Sequence, residues 1–379
     1  MTRLLLPALA GAFLFSFAEP SRNQSPALPT FARTLQLEPD AAASANVSIG
    51  DLDGDGRLDL VLVKGRHDPG MSRVLLGDGH GRFPSAHDLT DTSYRSYSGS
   101  LVDVDGNGTL DVVLSNDTPD PKVVLVNDGS GRFRRASTFG EASWSTRNAA
   151  LADLDGDGRP DIVVANRSPQ ATQYVCYGQG GGAFAQPCTA LASGSATSIT
   201  PADVNGDGRI DLVVPYRDRG QSYVYINGGA RAFPADRRIP FGPPAATMRM
   251  AAVSDLDGDG VTDIVTIDDE RRAVEIYYGE KGEGFAAAVA LDVGKAVPYA
   301  LAVADLNKDG RPDILVGLVE APSAAFFGGK PRLFDRVTFG DNRGTVYGFA
   351  VADLDGDGQL DVAAARSGAP NMIYFGDAK

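Results

Sequence analysis

The chain has 379 residues, 43% of them hydrophobic, with 45 Gly and 23 Pro. That suffices for a packed core and suits many short strands and turns. A formal net charge of −14 argues against binding nucleic acid through its phosphates, which needs a basic surface.

The N-terminus reads as a secretory signal. Met1-Thr2-Arg3 gives a positive start, Leu4–Phe17 is apolar, and Ser16-Phe17-Ala18 is a small-x-small cleavage site. Residues 1–18 are expected to be removed, with the mature chain beginning near Glu19. The product is secreted, periplasmic or held at the cell surface. The apolar run is too short, and too interrupted by Pro7 and Gly11, to span a membrane. No Cys follows it as a lipoprotein anchor, and no later apolar run is long enough to span.

Next in the chain, Phe31–Leu37 (FARTLQL) resembles Phe83–Leu89 (FPSAHDL). A nine-residue acidic stretch then recurs seven times, starting at Asp51, Asp103, Asp153, Asp203, Asp255, Asp305 and Asp353, at spacings of 52, 50, 50, 52, 50 and 48. Such a period overrides any division of the chain by length alone. Residues 149–184 show the grammar of one repeat. Ala149–Ala152 is a short strand into the acidic loop, and Asp161–Ala165 is a β-branched strand leaving it. Tyr174–Tyr177 is a third strand, followed by a Gly-rich turn and a fourth strand starting at Phe184. The third strand and its turn recur in the runs ending at Phe83, Phe133, Phe233, Phe285 and Phe334. Four strands per repeat, without a helical period, predict an all-β propeller of four-stranded blades. The last repeat stops at Lys379 before a fourth strand, so the strand at Phe31–Leu37 is expected to complete it and close the ring. Closure removes exposed sheet edges.

Cys176 and Cys188 are the only cysteines and fall on the third and fourth strands of one repeat. In an exported chain a disulfide is expected, the alternative being two separate buried thiols. His67, His80 and His87 are too distant in sequence to complete a zinc site with them.

The acidic loops carry the chemistry. Positions 1, 3, 5 and 9 are Asp51, Asp53, Asp55 and Asp59 in the first; Asp103, Asp105, Asn107 and Asp111 in the second; Asp153, Asp155, Asp157 and Asp161 in the third. They are Asp203, Asn205, Asp207 and Asp211 in the fourth, and Asp255, Asp257, Asp259 and Asp263 in the fifth. The last two have Asp305, Asn307, Asp309 and Asp313, and Asp353, Asp355, Asp357 and Asp361. Alternate carboxylates on a tight turn can converge on one hard cation, and an all-oxygen set suits Ca²⁺. Gly at positions 4 and 6 lets the backbone wrap the ion. An EF-hand would need Glu at position 12, where the first loop has Leu62. Asp and Gly also favour plain turns, but four carboxylates within nine residues repel one another without a cation. Up to seven Ca²⁺ are therefore expected. The sixth loop, with Asn307 and with Lys308 in place of Gly, is the weakest.

These repeats resemble the FG-GAP/VCBS-like repeats of secreted bacterial proteins and the calcium-loop blades of integrin α-subunit propellers. The resemblance covers Phe31 to Lys379 and rests on the repeated DxDGDGxxD loop. The FG and GAP elements are degenerate, Gly368-Ala369-Pro370 being the clearest. It implies a single seven-bladed β-propeller over residues 19–379 with calcium in the inter-strand hairpins. It leaves the ligand open, because such repeats occur in adhesion proteins, lectins and accessory regions of polysaccharide-degrading enzymes.

Six residues before the loops stand Ala45, Tyr97, Arg147, Thr197, Arg249, Tyr299 and Tyr347, with Trp144 nearby. They either pack between blades at the channel mouth or form a binding rim on the face away from the metals. Tyr97, Trp144, Arg147, Arg249, Tyr299 and Tyr347 are the candidate ligand residues. The connections between second and third strands add Arg66, Arg167, Arg217, Arg219, Arg271, Arg272 and Arg366, which read equally as a solvated charged rim. Aromatic residues with Arg suit sugar rings, carboxylated glycans or acidic peptides. No nucleophile–His–acid, zinc or paired-carboxylate signature stands outside the acidic loops. The leading expectation is a non-catalytic, calcium-rigidified module binding a glycan or protein. The alternatives are a polysaccharide lyase or hydrolase acting at the channel mouth, and a cell-surface structural or assembly factor.

Overall fold

The structure, a computed structural model, describes residues 28–282 and 284–377. The expected signal peptide, residues 1–18, lies outside the described residues. The protein is all-β, with one short 3₁₀ turn at Ala235–Arg237 as its helical element among the described residues. Among the described residues no helix is long and apolar enough to cross a membrane.

The second repeat shows the plan. Strands Ser96–Val102, Asp111–Asn116, Lys122–Asn127 and Phe133–Phe139 pair antiparallel in chain order, with the acidic loop joining the first two. The other repeats begin on Ala42–Gly50, Thr146–Ala152, Thr200–Ala202, Met248–Ser254, Val297–Ala304 and Thr345–Ala352. The third, fourth and fifth repeats, like the second, are separate four-stranded sheets. The sixth, seventh and first share one 12-stranded sheet through a few bridging pairs such as Val319↔Thr345 and Ala42↔Ala369. The N-terminal strand Thr34–Gln36 pairs antiparallel with Met372–Tyr374, in the register Thr34↔Tyr374 and Gln36↔Met372.

The second strands read as unbroken β-branched and aliphatic runs because both of their faces are covered. Asp111–Asn116, Asp161–Asn166 and Asp263–Asp268 are buried at every position. Side chains of neighbouring repeats share clusters: Val61 and Val63 pack with Val112 and Leu114, and Ile162 and Val164 with Val113 and Val124. First strands also bond to first strands. Ser48 Oγ donates to Gly99 O at 2.6 Å, Ser100 Oγ to Ala149 O at 2.7 Å, and Thr200 Oγ1 to Ala251 O at 2.7 Å.

The fourth strand departs from expectation in the third, fourth and fifth repeats; in the fifth, Phe285 ends a two-residue strand paired with Gly279–Glu280 and the fourth strand is Val289–Leu291. Phe184 lies in a two-residue strand, Ala183–Phe184, that pairs with Gly178–Gly180, and the fourth strand proper is Thr189–Ser193. Phe233 is followed by the 3₁₀ turn, and the fourth strand is Ile239–Phe241. Pro187 and Pro234 stand at the breaks of the third and fourth repeats, and proline cannot donate to a ladder.

Cys176 and Cys188 form a disulfide across the third repeat, 12 residues apart in sequence. A loop of this length restricts the unfolded chain by about 3 kcal/mol on the chain-entropy account. The double change Cys176→Ala/Cys188→Ala should lower unfolding stability by roughly that amount, read as a lower denaturant midpoint at unchanged slope. A midpoint equal to that of the unaltered chain would show that the bond adds nothing.

Candidate functional site

Each acidic loop is shaped by its own carboxylates. In the first, Asp51 accepts from Gly54 N at 2.8 Å and from Gly56 N at 2.9 Å, while Asp55 accepts from Arg57 N at 2.8 Å. Gly54 and Gly56 sit at φ +76° and +81°, which glycine adopts without strain. The ninth position does something different. All seven of its Asp side chains are fully buried: Asp59, Asp111, Asp161, Asp211, Asp263, Asp313 and Asp361. One oxygen of Asp59 accepts from Leu52 N inside the loop at 2.8 Å, and the other from Gly77 N, just past the third strand, at 2.7 Å. The same two-armed clamp recurs at the other six, as at Asp161 with Leu154 N and Gly178 N.

The residue taking the second arm exists in two forms. At Gly77, Gly178, Gly279, Gly328 and Gly376 a Cβ would lie 2.1–2.8 Å from the carbonyl oxygen of the loop's eighth residue, so only glycine fits. In the second and fourth repeats Asn127 and Asn227 stand there instead. Their amides donate to those eighth-position carbonyls, Leu110 O and Ile210 O, at 3.0 Å. They also donate to Leu52 O and Leu154 O of the preceding repeat at 2.8 Å. Gly182 N makes the equivalent bond to Val104 O, and Gly81 N to Leu354 O. The acidic loops are thus joints between repeats as well as turns within them. Arg231 and Arg332 add ion pairs at 2.7 Å to the third-position Asp155 and Asp257 of the preceding repeats, stacked over Tyr177 and Tyr278.

The oxygens converge as a cation requires. In the first three loops the carboxylates at positions 1, 3 and 9 bring one oxygen each within 4.8 Å of one another. In the fifth and seventh, positions 1, 3 and 5 do so. Oxygens bound to one Ca²⁺ at about 2.3–2.6 Å can be no more than about 5 Å apart, so the donor set fits that ion. The fourth and sixth loops form no such three-acid cluster among the described residues. There Asn205 and Asn307 donate to Asp207 and Asp309 at 3.2 and 3.1 Å, replacing repulsion with a hydrogen bond. Lys308 takes φ +56° and extends its ammonium to Gly358 O of the seventh loop.

At the other end of the inner strands, about 20 Å away for six extended residues, lies a cavity of about 200 Å³. Ala45, Tyr97, Arg147, Thr197, Arg249, Tyr299 and Tyr347 all line it. A register shift in the first strand falls at this position in six repeats: between Ser44 and Asn46, Ser96 and Ser98, Thr146 and Asn148, Met248 and Ala251, Pro298 and Ala300, and Val346 and Gly348. Six of the seven lining residues are the extra residue of a β-bulge, or one of two in the fifth repeat, while Thr197 falls in the break between Ser195–Ala196 and Thr200–Ala202. Bulges re-aim side chains. Strict two-residue alternation stops at the bulge.

Across the mouth the side chains interlock from repeat to repeat. Arg66 lies over Tyr347 at 3.8 Å, Arg147 over Tyr97 at 4.1 Å and Arg249 over Tyr299 at 3.6 Å, with Tyr299 and Tyr347 in contact at 4.4 Å. Arg147 pairs with Asp117 at 2.8 Å, and Asp269 takes both Arg249 at 2.8 Å and Arg217 at 2.6 Å. Arg167 also lines the cavity. His67, which sequence alone did not single out for this site, brings its ring within 3.2 Å of the Tyr97 hydroxyl. Burial lowers its pKa, and the charges of Arg147, Arg66 and Arg167 lower it further.

Trp144 is not among the lining residues: its ring stacks on Tyr174 at 4.1 Å, where it packs against the core between the second and third repeats. Arg366 is not a rim residue either. It is 2% exposed and bonds to Asp341 and to Arg343 O. Arg219 and Arg271 are exposed and pair with Glu270 and Glu275.

The FG-GAP-like repeat model matches five overlapping segments, 51–114, 103–164, 153–214, 203–266 and 255–316. The chain belongs to the FG-GAP-like repeat family. No curated protein matches this FG-GAP-like chain in sequence. Solved structures share its fold at low identity. BBS1N, crystallised in complex with ARL6DN, has a TM-score of 0.63 at 13% identity, over 93% of this chain and 99% of that one. A lectin of Agrocybe aegerita that recognises non-reducing terminal N-acetylglucosamine has a TM-score of 0.58 at 18% identity, over 86% of each chain. The rhamnogalacturonan lyase YesW has 0.52 at 15%, over 90% of this chain and 75% of that one.

Two measurements test the loops. Asp161→Ala strands two buried N–H groups, and should cost about 2–4 kcal/mol even in chelator, where no metal contributes. A loss seen only with calcium present would make position 9 a ligand and not a clamp. Burial, outweighing the two backbone donors, pushes Asp161, Asp263 and Asp361 up to about 6 and Asp313 to about 7. In chelator the folded chain then keeps protons that the unfolded chain releases from about pH 4 upward. Its melting temperature should therefore fall as pH rises from about 4 to 7. With millimolar calcium, which needs ionised carboxylates, the slope should reverse. Equal slopes would show that no cation competes with these protons.

Proposed function

We propose that the chain is an exported, calcium-stabilised propeller, closed as seven blades and forming one domain over residues 19–379. It acts as a non-catalytic binding module that takes a glycan or protein ligand on the face away from the acidic loops. Closure is supported by the N-terminal strand on Met372–Tyr374 and by the Gly81–Leu354 bond between the first and last repeats. Ca²⁺ in up to seven loops, weakest in the sixth, would hold the joints between blades.

The observation that carries the binding role is the repeated bulge. Six inner strands each interrupt their ladder at the residue that enters one shared cavity. Packing alone does not call for the same irregularity at the same end of six strands, and bulges gather beside functional sites. A lectin and a protein-bound domain among the fold relatives are consistent with glycan and protein ligands alike.

A second reading has its own observation. His67, whose pKa is lowered by burial and by three guanidinium groups, touches the Tyr97 hydroxyl. In a uronate polymer His67 would take the proton on the carbon next to the carboxylate. That electron pair would form the carbon–carbon double bond as the bond to the leaving oxygen breaks, and Tyr97 would protonate that oxygen.

Three assays decide. Chelator should lower the melting temperature by more than 10 °C on the order of a several-kcal/mol loss, with Asp→Asn changes in the sixth loop mattering least. Glycan-array binding in millimolar calcium should be lost in Tyr299→Ala and retained in Trp144→Ala. Release of an unsaturated product from uronate polymers, absent in His67→Ala, would replace the non-catalytic reading with the lyase.

A further inference from the structure

The cavity inverts the charge of the protein around it. The chain carries −14, yet no acidic side chain lines the cavity, whereas Arg66, Arg147, Arg167, Arg217 and Arg249 do. Two carboxylates stand behind these five guanidinium groups: Asp117 on Arg147, and Asp269 shared by Arg217 and Arg249. That leaves an excess of three positive charges at one narrow mouth. Arg66 has only the Ser367 hydroxyl as a side-chain acceptor, at 2.9 Å, and its Nε is buried without a partner. Arg167 pairs with no carboxylate among the described residues. Burial lowers the Arg217 pKa, and the charges of Arg249 and Arg167 add to that against the pull of Asp269. Like charges held together this way cost stability in the free protein, and an anion relieves the cost.

The tyrosines are not open stacking platforms. A guanidinium covers one face of Tyr97, Tyr299 and Tyr347. The mouth therefore presents hydrogen-bond donors, and guanidinium forks match a planar carboxylate. The rest of the lining is neutral but polar. Asn148 and the Asn46 amide nitrogen make no hydrogen bond within the described residues, and the Ser198 hydroxyl is buried without a partner. Groups that both donate and accept suit hydroxyls, which an acidic peptide side chain lacks and a sugar ring carries. About 200 Å³ is below the roughly 300–1,000 Å³ of pockets that enclose drug-sized ligands. One sugar ring at a chain end matches that volume.

Resting on the binding role proposed above, we infer that the cavity takes the terminal uronate residue of an acidic glycan. Its carboxylate meets Arg66 and Arg167, and its hydroxyls meet Asn46, Asn148 and Ser198. The test is calorimetry of the full mature chain in millimolar calcium with trigalacturonate, its methyl ester and galactotriose. The acid should bind, and the ester and the neutral sugar should bind at least tenfold more weakly. Arg66→Ala and Arg167→Ala should each weaken the acid at least tenfold, with Arg167→Lys in between and melting temperatures not lowered. Rising salt should weaken the unaltered protein too, so the claim does not hang on the variants folding. Equal binding of acid, ester and galactotriose, lost in Tyr299→Ala, would overturn the anion inference and leave the cavity as the binding site. Acid binding that survives Arg66→Ala, Arg167→Ala and Tyr299→Ala would place the ligand elsewhere and overturn both. A poly-glutamate peptide that binds while every uronate fails would overturn the sugar, and absence of binding by all four probes would overturn the inference entirely.

Discussion

A buried carboxylate with two backbone donors is the interaction on which the remainder of the structure rests. The Asp at the ninth position of each loop receives one N–H from inside the loop and one from beyond the third strand. It thereby fixes where strand one ends, where strand two starts and where strand three stops. Three strands of every blade are registered by one side chain. Two aligned donors offset part of its desolvation. The raised pKa values of Asp161, Asp263, Asp313 and Asp361 show that burial still outweighs them. A cation over the first, third and fifth positions would supply the missing stabilisation, so clamp and metal loop are two halves of one device.

The same loop ties each blade to the next, and here the two forms of the arm residue matter. Where glycine stands, the neighbouring turn reaches across with its own backbone, as Gly81 does to Leu354 O. Where asparagine stands, its side chain spans both carbonyls, as Asn127 does for Leu52 O and Leu110 O. The bond geometry is conserved inside one chain while the residue that makes it changes. Repeat proteins have only nearest-neighbour interfaces to stabilise them, so the four such joints seen here brace neighbouring repeats against one another.

Much of this was legible in the sequence because the loops repeat. Period, strand order, the pairing of the N-terminal strand and the nearness of Cys176 to Cys188 all follow from where Asp, Gly and Phe recur. The acidic residues were legible as a group, but the separate duty of the ninth position was not, because Asp looks the same as clamp and as ligand. The ring from Ala45 to Tyr347 was found by counting back from the loops, yet its orientation came from bulges, which leave no composition signal. Trp144 was misjudged because proximity in sequence ignores Tyr174, the partner that stacks on it. Arg366 was misjudged because an arginine in a connection reads as exposed until Asp341 and Arg343 O are seen to enclose it. His67 was passed over because its partner Tyr97 comes from the next blade.

Charge is what links the two faces. Acid at one end of the inner strands is concentrated in turns whose geometry suits divalent cations, and base at the other end is concentrated around one mouth. With cations bound, the acidic loops would lose much of their negative charge while the guanidinium excess at the mouth stays the same. The long-range field at the mouth is then less opposed by the −14 of the bare chain, and at physiological ionic strength screening over about 8 Å removes much of what is left across the blade. An anion approaching the mouth thus meets local guanidinium groups and not the global charge. Metals in the loops would hold the repeats in register, and they and the arginines at the mouth would need no structural signal between them. The rigid frame keeps six bulges aimed at one cavity, and the guanidinium groups gathered there would set which charge a ligand must carry.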